Sequence, residues 1–416
     1  MRDVSSMVAK QYNAYRYPAP IADLDEHART PTINAGDPSK LDALFWPEGR
    51  PRQNLSILVA GCGTNQAAII AHANRDCEVV GIDLSESSLG HERYLQEKHS
   101  LINLKLFQAD LLDVSKLNQK FDLIVCSGVL HHMKNPSDGL KALAAVLQEN
   151  GAMKIMVYAK AARLGLYLLQ DAFRHMGLSQ DQDSISVVRD VISSLPAEHF
   201  ARFYIERTRD STYDSGIIDA FLHTQDRAYS VSELLEWVES NGLCFQSWVD
   251  NGVYFPDNYP SIPLSARTRL EKCALRDVWS SVEGLTHTSS RHLFVACHPS
   301  RARRIADIQF YSGPAADLVP VRYPVFHEIV DGERKALIRG RFKFQLTDKA
   351  REIFDAIDGR RTTAEIMDRL GYLADDARAA GEAFIQALWR QGHVFASSRA
   401  RLEPGHFSLD EQPTSR

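Results

Sequence analysis

From residue 54 to residue 159, short apolar runs alternate with amphipathic stretches. "LSILVA", "CEVVGIDLS", "LKLFQAD", "FDLIVCSGVL" and "GAMKIMVYA" read as strands, and "QAAIIAHAN", "ESSLGHERYLQEKH" and "PSDGLKALAAVLQ" as helices between them. Short apolar strands separated by amphipathic helices imply right-handed crossovers and a parallel sheet covered on both faces. "CFQSWVD" and "RHLFVACHP" supply two more strands further on. Between the two groups, residues 161–230 break the rhythm with the helical "RLGLYLLQDAFRHM" and the polar "ERTRDSTYDSGIIDAFLHTQDRAYS". That segment is expected as an insertion or lid over the carboxyl edge of the sheet. "SVSELLEWVESNGL" then opens a helix with a capping box, either Ser230 with Glu233 or Ser232 with Glu236.

A chain of 416 residues is long for one core, so two domains are expected. The sequence divides into a lead-in (1–40), a catalytic domain (41–300, with the 161–230 insertion), a connector (301–333), a small domain (334–402) and a tail (403–416). In the small domain, "ALIRGRFKFQLT" reads as strand, "DKAREIFDAI" as helix and Asp358-Gly359 as a turn. Thr362 and Glu365 form a capping box, a long helix ends at Gly392, and "HVFASS" closes as a strand. A net charge of −5 argues against a broad nucleic-acid surface. The six cysteines lack any Cys-x-x-Cys spacing, which fits neither a zinc site nor a disulfide framework. The amino terminus lacks an apolar signal core and no run approaches the roughly 20 apolar residues of a membrane span, so a cytoplasmic location is expected.

In an open parallel sheet, ligands sit at the carboxyl ends of the strands. Gly61 and Gly63 end the first strand, where missing Cβ atoms let a ligand approach the backbone. Asp83 ends the second strand, placed to accept hydrogen bonds from ribose hydroxyls, and Asp110 ends the third, where an adenine edge would lie. These positions suit NAD and S-adenosylmethionine alike. NAD, however, needs its pyrophosphate against the helix N-terminus, where a third glycine normally keeps the helix close. Asn65 stands there instead, as a helix N-cap or as a contact to the methionine end of the ligand.

"ILVAGCGTNQ", "VVGIDLSESSL", "FQADLLD" and "FDLIVCSGVLHHMKNPSDGLKALAAVLQENGAMKIMVY" together resemble the core of the class I S-adenosylmethionine-dependent methyltransferases. The resemblance implies an α/β fold with a doubly wound, seven-stranded, mostly parallel sheet and a reversed final hairpin. It implies that Ala60, Gly61, Cys62, Gly63, Asn65 and Gln66 hold the methionine moiety, Asp83 and Leu84 the ribose, and Asp110 and Leu111 the adenine. Ser127, Gly128, Val129 and His132 would line the sulfonium side. "QYNAYRYP" is similar to a lead-in that closes over the cofactor in some members. The last domain resembles small winged-helix domains that bind leader peptides in peptide-modifying pathways, so a peptide partner or self-association is expected there.

Methyl transfer needs alignment, desolvation and sometimes a base. His131, Tyr213 and His223 are the catalytic candidates, and Tyr158, Arg207, Arg209, Asp214 and Asp226 the substrate-binding ones. No metal is required. The expected activity is methylation of an oxygen or nitrogen on a small metabolite or peptide. An NAD-dependent oxidoreductase and a non-catalytic peptide-binding scaffold are the rival readings.

Overall fold

The computed structural model describes residues 18–30, 35–287, 289–310, 315–324, 327–331, 334–339 and 342–398. Most of "QYNAYRYP" and the whole 403–416 tail lie outside them. The chain forms two compact units. The first gathers the described parts of Met1–Leu41, Gln53–Arg304 and Arg390–Gly392, and the second Asp42–Arg52, Ile305–Trp389 and the chain from His393.

The first unit is built on strands β1 (Ser56–Ala60), β2 (Glu78–Asp83), β3 (Leu104–Gln108), β4 (Phe121–Ser127), β5 (Leu147–Ala159), β6 (Ala228–Tyr229), β7 (Cys244–Trp248) and β8 (Arg291–Cys297). They lie in the order β3-β2-β1-β4-β5-β8-β7, with β6 also paired to β5. Neighbours from β3 to β5 run parallel, and β8 is antiparallel to both β5 and β7. Eight strands replace the expected seven because Ala228–Tyr229 lies parallel to Tyr158–Ala159. A dipeptide is too short to carry a period-2 pattern. All five residues of β1 are buried, which accounts for the apolar run from Ile57 to Ala60. Chain order reverses between β1 and β4, so the loops after these strands diverge and leave a crevice at their carboxyl ends.

The 161–230 segment is more core than its polarity suggests. Helices Lys160–His175, Gln182–Ser194, Arg202–Ile205 and Asp214–Phe221 pack Leu166, Phe173, Ile185, Val188, Ile218 and Phe221 into a hydrophobic cluster. Asp219 and His223, on its polar side, are themselves buried. The chain returns to the sheet at helix Val231–Ser240, whose capping box uses Ser230 and Glu233 rather than the Ser232 register.

In the second unit, β9 (Val319–Arg322) pairs antiparallel with β13 (Val394–Ser397), and β10 (His327–Asp331), β11 (Arg334–Arg339) and β12 (Phe342–Leu346) form an antiparallel sheet. Helices Asp348–Ala356, Thr363–Arg369 and Asp375–Arg390 intervene, the second opened by the Thr362–Glu365 capping box. The stretch expected as connector thus carries β9, β10 and helix Pro299–Ile305. Pro320 hid β9 because proline is confined to edge positions, and among the described residues β9 pairs with β13 alone. Residues 42–52 join this unit through Ser397, whose Oγ donates to the Pro47 carbonyl at 2.8 Å. Among the described residues, no helix is long and apolar enough to cross a membrane.

Candidate functional site

A cleft of about 730 Å³ opens over the carboxyl ends of β1, β2, β4 and β5. Its floor starts at the glycine turn. Gly61 has φ +71° and Gly63 φ +60°, and a Cβ on Gly61 would stand 2.1 Å from Val129 Cγ2. Only glycine lets the β1 loop lie this close to the β4 loop. Asp83 fixes the same turn from the side. Its Oδ2 accepts from the Gly63 N–H and its Oδ1 from the Ser85 N–H, each at 2.8 Å. Burial pushes its carboxyl above the usual range, and these backbone donors pull the other way. Each oxygen keeps a second lone pair, so the carboxylate can still accept from a ribose diol. Asp110 caps the 3₁₀ turn Leu111–Leu117 through the Leu112 N–H at 2.9 Å and also borders the cleft.

The helix after the glycine turn, Gln66–Ala73, offers no open N-terminus. Glu92, wholly buried on helix Glu86–Lys98, accepts from the Ala67 N–H at 3.0 Å and the Ala68 N–H at 2.8 Å. A carboxyl group of the protein therefore occupies the donors that a pyrophosphate would need. The site suits a ligand with a ribose and an adenine but no phosphate. Asn65 does not act as the expected side-chain cap; its amide donates to the Ala19 carbonyl at 3.3 Å, and Thr64 Oγ1 donates to the Pro18 carbonyl at 2.8 Å. The described end of the lead-in is thus tied to the glycine turn, and Pro18 borders the cleft.

Gly61, Cys62, Gly63, Asn65, Gln66, Asp83, Leu84, Asp110, Leu111, Ser127, Gly128, Val129 and His132 all line this cleft, whereas Ala60 stays buried in β1. Tyr158, Arg207 and Arg209 line it as well. The other candidates do not. His131 is fully buried with its ring centroid 3.8 Å from that of Tyr158, and His223 stacks behind His132 at 3.9 Å. Tyr213 donates its hydroxyl to Asp210, Asp214 pairs with Arg189 at 2.7 Å, and Asp226 pairs with the buried Arg163 at 2.8 Å. These three are spent on holding the helical insertion together.

His132 is the histidine that faces the cleft. Its Nδ1 lies 3.1 Å from the Gln225 carbonyl, an acceptor, so Nδ1 carries the proton and Nε2 is left as a base. Asp219 Oδ1 lies 3.9 Å from that Nε2, and Asp219 Oδ2 accepts from the Tyr158 hydroxyl at 2.8 Å. Burial lowers the His132 pKa, with Asp219 opposing the shift. His132, Asp219 and His223 also bring three metal-ligand types together. Yet His223 Nδ1 accepts from the Gln225 N–H at 3.0 Å, so its Nε2 carries a proton and cannot act as a ligand.

Three contributors escaped the sequence reading: Glu92, Asp219 and Lys154. Asp219 and Lys154 are charged residues inside apolar runs, flanked by Ile218 and Ala220 and by Met153 and Ile155, whereas Glu92 shares the helix face of Leu89 and Leu95, three residues away on either side. Lys154 on β5 is buried and donates to Ser127 Oγ at 2.8 Å, with no carboxylate partner among the described residues. Burial pulls its pKa down to about 7.

Glu92→Ala would orphan two buried N–H groups and is expected to cost roughly 2–5 kcal/mol in urea unfolding. An effect below that of a surface mutation would contradict the capping role. Lys154 has the opposite consequence. Between about pH 7 and its ordinary pKa the unfolded chain holds a proton that the folded chain lacks, so wild-type stability rises with pH there. Urea melts should show the stability advantage of Lys154→Met shrinking between about pH 7 and pH 9, by up to roughly 1.4 kcal/mol per unit. A constant gap would contradict a buried, uncompensated ammonium.

Residues 51–192 match a family model described as a methyltransferase domain. An uncharacterised protein of Synechococcus is 33% identical over 223 residues, 50% of this chain and 51% of that one. A ubiquinone biosynthesis O-methyltransferase of Azoarcus is 32% identical over 119 residues, 28% of this chain and 49% of its own length. The chain spans about half the length of these curated relatives. The solved structure of PKMT2 from Rickettsia typhi superposes with a TM-score of 0.62 at 16% identity, over 88% of this chain and 76% of that one. The same protein is known in complex with AdoHcy. At that identity the likeness speaks for the fold alone. Residues 51–192 are a methyltransferase domain, an enzyme module whose cofactor is S-adenosylmethionine.

Proposed function

We propose that the whole protein transfers a methyl group from S-adenosylmethionine to an oxygen or nitrogen of a small metabolite or peptide, with oxygen favoured and His132 as the base. The observation that carries this reading is the division of labour between Asp83 and Glu92. One carboxylate stays available to a ribose while the other closes the phosphate position, which disfavours NAD. Asp110 and Leu111 would hold the adenine, and Ser127, Gly128 and Val129 would flank the reacting carbon.

S-adenosylmethionine supplies a methyl carbon already activated by its sulfonium. The chain's own residues then have two tasks. The cleft aligns the acceptor for in-line attack and excludes water. With S-adenosylmethionine bound, His132 Nε2 would take the acceptor's O–H proton as its oxygen accepts the methyl group and S-adenosylhomocysteine is left. Asp219 stabilises the imidazolium, and Tyr158 holds Asp219 in place. The Asp219–His132 pair favours oxygen because a neutral hydroxyl must lose its proton as it is methylated. The O-methyltransferase relative supports the same choice.

The helical insertion is read as a lid whose Tyr204–Asp210 region borders the cleft. The second unit is read as a winged-helix-like module that adds a peptide or a second copy to an open strand edge. A cytoplasmic location completes the proposal.

Radiolabelled methyl transfer to a panel of phenols, hydroxy acids and short peptides tests the activity. With an acceptor in hand, His132→Ala should lower kcat by roughly 10²–10⁴-fold with little change in the KM for S-adenosylmethionine. Because burial lowers the His132 pKa, the wild-type rate should lose its acid limb below the ordinary histidine value of 6.5. Binding of S-adenosylhomocysteine without transfer to any acceptor would favour the scaffold reading instead.

A further inference from the structure

Besides Arg163, which is paired with Asp226, four cationic side chains line the cleft: Lys134, Arg207, Arg209 and Arg291. Lys134 is two residues from His132, and Arg291 on β8 is the register partner of Tyr158 on β5. Arg207 lies with its guanidinium carbon 3.9 Å from the Phe203 ring centroid and donates to the Phe203 carbonyl at 3.3 Å. Phe203 in turn packs against His287 at 4.6 Å, so this cation has a built support.

None of the four has a carboxylate partner among the described residues. The nearby acids are already engaged. Asp210 accepts from the hydroxyls of Tyr204 at 2.6 Å and Tyr213 at 3.2 Å, Asp219 accepts from Tyr158, and Asp226 pairs with Arg163. Asp138 also borders the cleft, in the first turn of helix Pro136–Val146 where the helix dipole favours a negative charge. The cofactor brings one carboxylate, but its sulfonium offsets that charge. An anionic acceptor would give these exposed guanidinium groups a counter-charge that a neutral or cationic one does not supply.

We propose that the acceptor is an anion, a hydroxyl compound bearing a carboxylate or phosphate that Lys134, Arg207, Arg209 and Arg291 hold so that its hydroxyl meets His132. This rests on the methyltransferase reading and adds the chemical class of its substrate. Guanidinium forks match carboxylate and phosphate oxygens in pairs, and several cations at one mouth draw an anion in from solution.

The test uses the full chain saturated with S-adenosylhomocysteine and titrated calorimetrically with inorganic phosphate or benzoate. Wild type is expected to bind at least one of them with a Kd of about 10 mM or tighter, weakening as salt rises. Arg207→Ala/Arg209→Ala should weaken that binding about tenfold or more while the affinity for S-adenosylhomocysteine stays within about twofold. Phosphate binding alone assigns a phosphorylated acceptor, and benzoate binding alone a carboxylate. Wild type that binds neither anion, or a double variant that binds as tightly as wild type, overturns the proposal. Should S-adenosylhomocysteine itself fail to bind, the methyltransferase reading falls separately, and the same titration of the ligand-free chain still reads the rim.

Discussion

Two carboxyl groups, half-buried Asp83 and wholly buried Glu92, hold the glycine turn, and the rest of the site depends on them. Asp83 reaches across from β2 to the Gly63 N–H, and Glu92 reaches up from the next helix to the N–H groups of Ala67 and Ala68. Between them they satisfy backbone donors on both sides of the turn, while Thr64 and Asn65 tie it to the lead-in. The arrangement also selects the ligand. A helix N-terminus with open donors invites an anion, and one whose donors are already taken by a buried carboxyl group has none left to offer it. Burial pushes the Glu92 pKa up to about 8, the cost of placing an acid where a dinucleotide-binding protein would keep its donors open.

The opposite wall solves a related problem with a chain of polar contacts. Asp226 pairs with Arg163, whose guanidinium lies over the Tyr158 ring and donates to the Tyr204 hydroxyl, and Tyr204 donates to Asp210. Tyr158 continues the chain to Asp219 beside His132. Groups that look like free polar residues in the sequence are thereby committed to one another, and Arg163 ties the helical insertion to the β5 end of the cleft. Charge left uncommitted is concentrated at the rim, in Lys134, Arg207, Arg209 and Arg291.

The parallel sheet was legible because its central strands β1, β2 and β4 are buried on both faces and its turns carry Gly61, Gly63, Asp83 and Asp110 at the strand ends. The capping boxes at Ser230 and Thr362 were legible because they are local. Contacts between residues far apart in the chain were not. His131 and His132 are adjacent, and only the fold of the loop after β4 decides which one faces the cleft. Asp226 reads as a ligand until Arg163, 63 positions earlier, is found beside it. Asn65 reads as a cap until Glu92 takes that role, 25 positions beyond the Ala67 N–H it accepts from. β6 and β9 were missed because a dipeptide and a proline-containing edge carry almost no periodic signal. Lys154 and Asp219 did leave a trace, a lone charge within an apolar run, and Glu92 only its place on the helix face of Leu89 and Leu95.

The most direct measurement is a calorimetric titration of wild type and Asp83→Ala with S-adenosylhomocysteine and, separately, with NAD. The account predicts one S-adenosylhomocysteine per chain, about ten- to a hundredfold weaker in Asp83→Ala, and no binding of NAD. NAD binding to wild type in the absence of S-adenosylhomocysteine binding would contradict it, because the capped helix would then be tolerating the pyrophosphate it is argued to exclude.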